Sequence, residues 1–143
     1  PSGIGGVSPR HALRGKTGFP LIDAAMRSLK SSGWLHPALR SLTAEFLCGV
    51  LHQPSEHGIV WFATQQTDFD PALNEGNWQT AARNARRRSI DIIQTARRLD
   101  PDGTFVRRHI PELAHLPVNL VHTPWLASSE IDAHGYPPPV VAA

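Results

Sequence analysis

Asp68 and Asp70 stand two residues apart, just ahead of a helix that Pro71 opens. Acids in that position either cap the helix or share a metal ion, and capping is the usual role. Asn74, Asn77 and Trp78 follow on the same stretch. A polar, aromatic-bearing face at the start of an otherwise apolar helix predicts a lined pocket. Arg83, Arg86, Arg87 and Arg88 fall at the predicted carboxyl end of that helix. There they either offset the negative end of the helix dipole or pair with phosphate oxygens. The eight histidines form no i, i+4 pair and have no acid placed to complete a ligand set, so no metal site is expected. No Gly-x-Ser-x-Gly turn is present, and Cys48, beside Phe46 and Leu47, reads as a small core residue.

The elements that position these residues read as helices. Leu21, Ile22, Ala25, Met26 and Leu29 share one face of a helix that starts at Pro20 and stops at Gly33. Asp23 sits where it complements the positive helix start. Pro37 opens a second helix with Leu39, Leu42, Phe46, Leu47 and Val50 on its stripe, fading at Leu51. A third is expected over about 56–66, and the fourth runs from Pro71 through Ala85. A fifth covers about 90–99, although its isoleucines weaken the helical preference. Asp100-Pro101-Asp102-Gly103 is a turn, and 105–113 makes one or two helical turns. No alternation of period two supports a strand and no internal repeat is present, so the fold class is all-α.

With 143 residues and 41% hydrophobic content the chain is one globular domain's worth of sequence. It has no apolar run of membrane-spanning length, so no membrane partner is expected, and its single cysteine suits a reducing, cytoplasmic setting. The net charge of +2 conceals blocks of +5 over 1–40, −5 over 41–82, +5 over 83–108 and −3 over 109–143. Basic blocks of this kind admit phosphate-bearing partners. Residues 1–12 read as a flexible loop, and the start at Pro1 points to a piece of a longer chain.

Several ordered motifs carry a resemblance. Gly15-Lys-Thr-Gly-Phe-Pro-Leu-Ile-Asp-Ala-Ala-Met-Arg27, Gly33-Trp34-Leu35-His36, Asp68-Phe69-Asp70-Pro71-Ala72-Leu73-Asn74 and Gly76-Asn77-Trp78-Gln79 resemble segments of the photolyase/cryptochrome family, and among its members class I deoxyribodipyrimidine photolyases most. Asp100 to Gly103, Ile110 to Leu113, Pro124-Trp125 and Tyr136-Pro137 match later landmarks in the right order. The resemblance implies that 13–141 is the carboxyl-terminal part of the helical FAD-binding domain, a bundle-like all-α piece. In that family light excites a reduced flavin, which passes an electron to a pyrimidine dimer flipped out of DNA, whereas cryptochromes use the scaffold for signalling.

Carried over residue by residue, the resemblance implies that Arg40 pairs with Asp68 beside the flavin ring, with Asp70 as a second acid there. Asn74 faces the flavin N5 atom, and Trp78 is the tryptophan nearest the flavin in the electron-transfer chain, which makes Trp78 and Asn74 the expected catalytic residues. His36 and Phe69 complete the expected cofactor-binding set. Trp34, Arg86, Arg87, Arg88 and Gln94 form the expected DNA-binding set. The sequence also departs from the family. Pro37 and Ala38 stand where it has Asn and Arg, Ser55 where the next tryptophan of the chain would sit, and Thr80 where a tryptophan lines the lesion pocket. The Ser/Thr-rich segment that holds the FAD phosphates is not among these residues, so the expected FAD site is partial and weak. Repair by this chain alone, as a deoxyribodipyrimidine photo-lyase, is then not expected without a second chain supplying the missing half. Self-association through exposed apolar surface, a non-catalytic module binding nucleic acid or another polypeptide, and a cryptochrome-like light sensor, against which Ser55 argues, are the remaining expectations.

Overall fold

The computed structural model describes residues 15–50, 78–80, 83, 91–126 and 136–137. Helix α1 spans Pro20–Ser32 and α2 spans Pro37–Glu45, continued by a π-helical turn over Phe46–Val50. Helix α3 spans Ile92–Leu99 and α4 spans Thr104–His109, and single 3₁₀ turns follow at Pro111–Leu113 and Pro124–Leu126. Residues 78–80 and 83 are helical too. No strand occurs among the described residues, in line with the all-α expectation. The expected 1–12 loop, the third helix and the start of the fourth lie outside them.

Each boundary has a local cause. Pro20 occupies the first turn of α1, where its missing N–H costs no hydrogen bond. Gly33 ends the helix at φ 74°, a left-handed geometry that a side chain would strain, and its N–H returns to the Leu29 carbonyl at 2.8 Å. His36 caps α2 through Nδ1, which accepts the Ala38 N–H at 3.1 Å. Asp91 caps α3 by accepting the Gln94 N–H at 2.9 Å, so the helix starts at Ile92 rather than Ile90. The Asp100 carboxylate accepts the N–H groups of Phe105 and Val106, both at 3.1 Å, and thereby ties the turn to the first turn of α4.

The second helix departs from its expected course. Its α-helical part ends at Glu45, five residues short of Val50. The Thr43 hydroxyl donates to the Leu39 carbonyl at 2.8 Å, a back-bond of the kind that bends helices. The Phe46 N–H is then shared between the Leu42 and Thr43 carbonyls, and the wider π turn begins.

The core forms around α1. Leu21, Ile22, Ala25, Met26 and Leu29, the five residues of the expected face, are all buried. They pack with Leu39, Leu42, Phe46 and Leu47 from the second helix and its π turn, and with Val106, Ile110, Leu113 and Leu116 from the chain's later part. Phe19 meets Phe46 edge-on at 5.4 Å and Trp125 at 5.8 Å between ring centroids. Aromatic rings prefer such edge-to-face contacts. Cys48 is partly buried against this core, as its neighbours implied.

Candidate functional site

The turn between α1 and α2 gathers three of the expected site residues. Trp34 is 50% exposed, and its ring meets that of His36 nearly at right angles, with centroids 6.3 Å apart. Arg40 is half-buried, and its Nε donates to the Leu35 carbonyl at 2.6 Å. The His36 carbonyl accepts the N–H groups of Leu39 at 2.9 Å and Arg40 at 3.0 Å. The result is a guanidinium held at a fixed place one helical turn from an exposed aromatic pair. Trp78, by contrast, is 2% exposed and belongs to the core cluster. A cation held in this way is chemically compatible with a planar ring system that takes on negative charge, as a reduced flavin does.

The remaining expected residues divide in two. Gln94 lies exposed in the first turn of α3. Asp68, Phe69, Asp70, Asn74, Arg86, Arg87 and Arg88 lie outside the described residues, as does Ser55. Thr80 is exposed, and its hydroxyl accepts from the Arg83 guanidinium at 3.3 Å. No cluster of three metal-ligating side chains occurs among the described residues.

A second polar constellation lies beyond what the motifs predict. Asp23 is fully buried in the first turn of α1, as expected, and its carboxylate also folds back onto the preceding loop. One carboxylate oxygen accepts the Thr17 N–H at 2.8 Å and the Thr17 hydroxyl at 2.7 Å, and the other accepts the Gly18 N–H at 3.0 Å and the Tyr136 hydroxyl. Burial pushes the carboxyl of Asp23 up, against the opposing pull of the hydrogen bonds from Tyr136, Thr17 and Gly18. Burial likewise holds the Tyr136 hydroxyl well above its usual range, and the charge of Asp23 adds to this. One turn along α1, Arg27 grips Glu112 in a two-pronged ion pair of 3.0 and 2.9 Å. That pairing lowers the Glu112 carboxyl and raises the Arg27 guanidinium. Arg27 also donates to the His109 carbonyl at 3.4 Å.

The sequence signals for this constellation are weak. Asp23 interrupts an apolar run, and Tyr136 is the one tyrosine of the chain. Pattern alone does not pair residues so far apart. Three separate sequence motifs, 15–27, 110–113 and 136–137, prove to be joined through these side chains.

Comparison with known proteins gives a consistent result. The family described as the FAD binding domain of DNA photolyase matches residues 11–143. Cryptochrome-1 of Anopheles gambiae is 43% identical over 141 residues, covering 89% of this chain and 26% of that protein. The deoxyribodipyrimidine photo-lyase of Escherichia coli is 38% identical over 133 residues, covering 89% of this chain and 28% of that protein. Among solved structures, a class III photolyase from Agrobacterium tumefaciens superposes with a TM-score of 0.88 at 34% identity, over 93% of this chain and 30% of its own. The chain thus spans about a quarter of the length of the two relatives.

Proposed function

The chain belongs to the photolyase/cryptochrome family of FAD-binding domains, and from that premise we propose that it forms the ring side of a flavin pocket used in light-driven electron transfer. The observation that carries this reading is the fixing of Arg40 by the Leu35 carbonyl, half-buried at the entry to α2. In this reading Asp68 meets that guanidinium, and Asp70, Phe69 and Asn74 complete the ring's surroundings. A buried carboxylate needs such a cation, and removing one partner of a buried pair costs about 3–5 kcal/mol.

The flavin, when bound and reduced, supplies the electron. The chain's own residues do the rest. Arg40 and Asp68 orient the ring, and the Asn74 amide accepts a hydrogen bond at the ring's N5 position. Trp78, enclosed by the core, is a path for charge that excludes water. In this reading Trp34, half exposed, stacks against an unpaired base while His36 belongs to the cofactor side, with Gln94 and Arg86 to Arg88 supporting nucleic-acid contact. The acceptor is then a pyrimidine dimer in DNA, as for a photo-lyase working in the cytoplasm. The phosphate side of the cofactor is supplied by further polypeptide, and affinity for FAD by this chain alone is weak.

The test is direct. The purified chain is inspected for flavin absorbance and titrated with FAD. Saturable binding that Asp68→Ala or Arg40→Ala abolishes is the expected result. Affinity unchanged in both variants would remove the pocket assignment. A second reading, a non-catalytic nucleic-acid module, draws on the exposed Arg97 and Arg98 in the last turn of α3. It predominates if no flavin binds while DNA binding persists and weakens steeply with salt.

A further inference from the structure

His122 is almost fully buried, and its Nε2 donates to the Asp100 carbonyl at 2.7 Å. In the neutral ring, a donating Nε2 leaves a bare lone pair on Nδ1. That lone pair is buried and has no partner in the protein. A buried acceptor left in this state is costly, and native proteins rarely tolerate it.

The ring of His122 lines a small cavity with Phe19, Pro20, Leu21, Ile92, Ile93 and Ala96. Phe19, Pro20 and Leu21 are the cap and first turn of α1. The first N–H groups of a helix have no acceptor within it, and no side chain caps α1. Pro20 has no N–H, and the Asp23 N–H reaches the Phe19 carbonyl at 3.0 Å. The N–H groups of Leu21 and Ile22 are the ones left over. The residue with the orphaned acceptor, His122, and one residue with an orphaned donor, Leu21, both line the cavity. Its volume is about 10 Å³, close to the ~10–15 Å³ that admits one water, and a buried water needs two to four polar partners.

We infer that a single water molecule is bound here, donating to His122 Nδ1 and accepting from the first turn of α1. It joins the turn ahead of Thr123 to the amino terminus of the central helix. The apolar walls leave no room or charge for an ion or organic ligand.

The full chain is the material for the test. Oxygen-17 relaxation dispersion of solvent water counts long-lived internal waters, and His122→Phe, which removes the acceptor, is expected to lower that count by one. An unchanged count in a folded variant would overturn the inference. A crystal structure of the unaltered chain gives a reading that does not depend on the variant folding. An isolated density peak within hydrogen-bond distance of His122 Nδ1 and of the Leu21 or Ile22 nitrogen is expected. An empty cavity, or a protein atom on Nδ1, would overturn it.

Discussion

The Tyr136 hydroxyl reaches a carboxylate 113 residues earlier in the chain, and both groups are buried. Each such group needs the other more than a surface pair would, because neither can turn to water. Tyr136→Phe deletes one donor and leaves Asp23 with Thr17 and Gly18. We expect a loss of about 1–3 kcal/mol in urea unfolding at neutral pH. A change within a few tenths would show that the bond is dispensable. The two carboxyls of this region also titrate in opposite senses. Asp23, raised above its ordinary 3.8, favours the folded state most below that value, and its contribution is lost as pH rises through the folded value. Glu112, lowered from 4.5 by Arg27, stabilises above that value, and its contribution is lost as pH falls through the folded value. Glu112→Gln should therefore flatten the acid limb of the stability profile, and Asp23→Asn should steepen it. Profiles of the two variants that run parallel to the parent would contradict both assignments.

At the scale of the element, the hinge between α3 and α4 rests on Gly103. Its φ of 70° is left-handed, and an added Cβ would lie 2.6 Å from a Val121 methyl. Gly103→Ala is thus penalised by strain and by overlap, and a loss of about 2–4 kcal/mol is expected in thermal or urea unfolding. A loss under about 1 kcal/mol would mean that Val121 yields freely. Much of this level is legible in the sequence. Proline at a first turn, a glycine stop and a five-residue apolar stripe define α1 to the residue. The Asp100 to Gly103 turn is likewise visible. What is not legible depends on side-chain bonds that periodicity does not decide, some of them only a few residues long. The apolar stripe does not tell that Thr43 bonds back to Leu39 or that a π turn follows. Nothing in the pattern tells that Asp23, at the helix start, also holds a loop and a distant tyrosine. At the candidate site, helix geometry does not reveal that Arg40 is held by the Leu35 carbonyl or that His36 caps α2. Those residues are reached through a likeness of motifs rather than through periodicity.

At the scale of the whole molecule, α1 organises the rest. It packs most extensively on α4, and the Arg27–Glu112 pair lies at one edge of that packing. The basic residues are arranged differently from one another around this frame. Arg27 and Arg107 are occupied by the fold, Arg27 with Glu112 and Arg107 with the Ala114 carbonyl at 2.7 Å. Arg97, Arg98 and Arg108 are exposed. The second +5 block is thus partly structural and partly at the surface. If nucleic acid meets this surface, the exposed arginines should act through phosphates, releasing counterions, while Arg107 should act only through stability. The expectation is that Arg97→Gln with Arg98→Gln weakens binding to duplex DNA of any sequence. The slope of log K against log salt should become shallower by about 0.9 for each phosphate that is no longer neutralised. Arg107→Gln should lower the unfolding midpoint and leave that slope unchanged. A salt titration of the three proteins separates the two roles. A slope that is the same in the double variant and in the parent would place the DNA-binding surface elsewhere on the molecule.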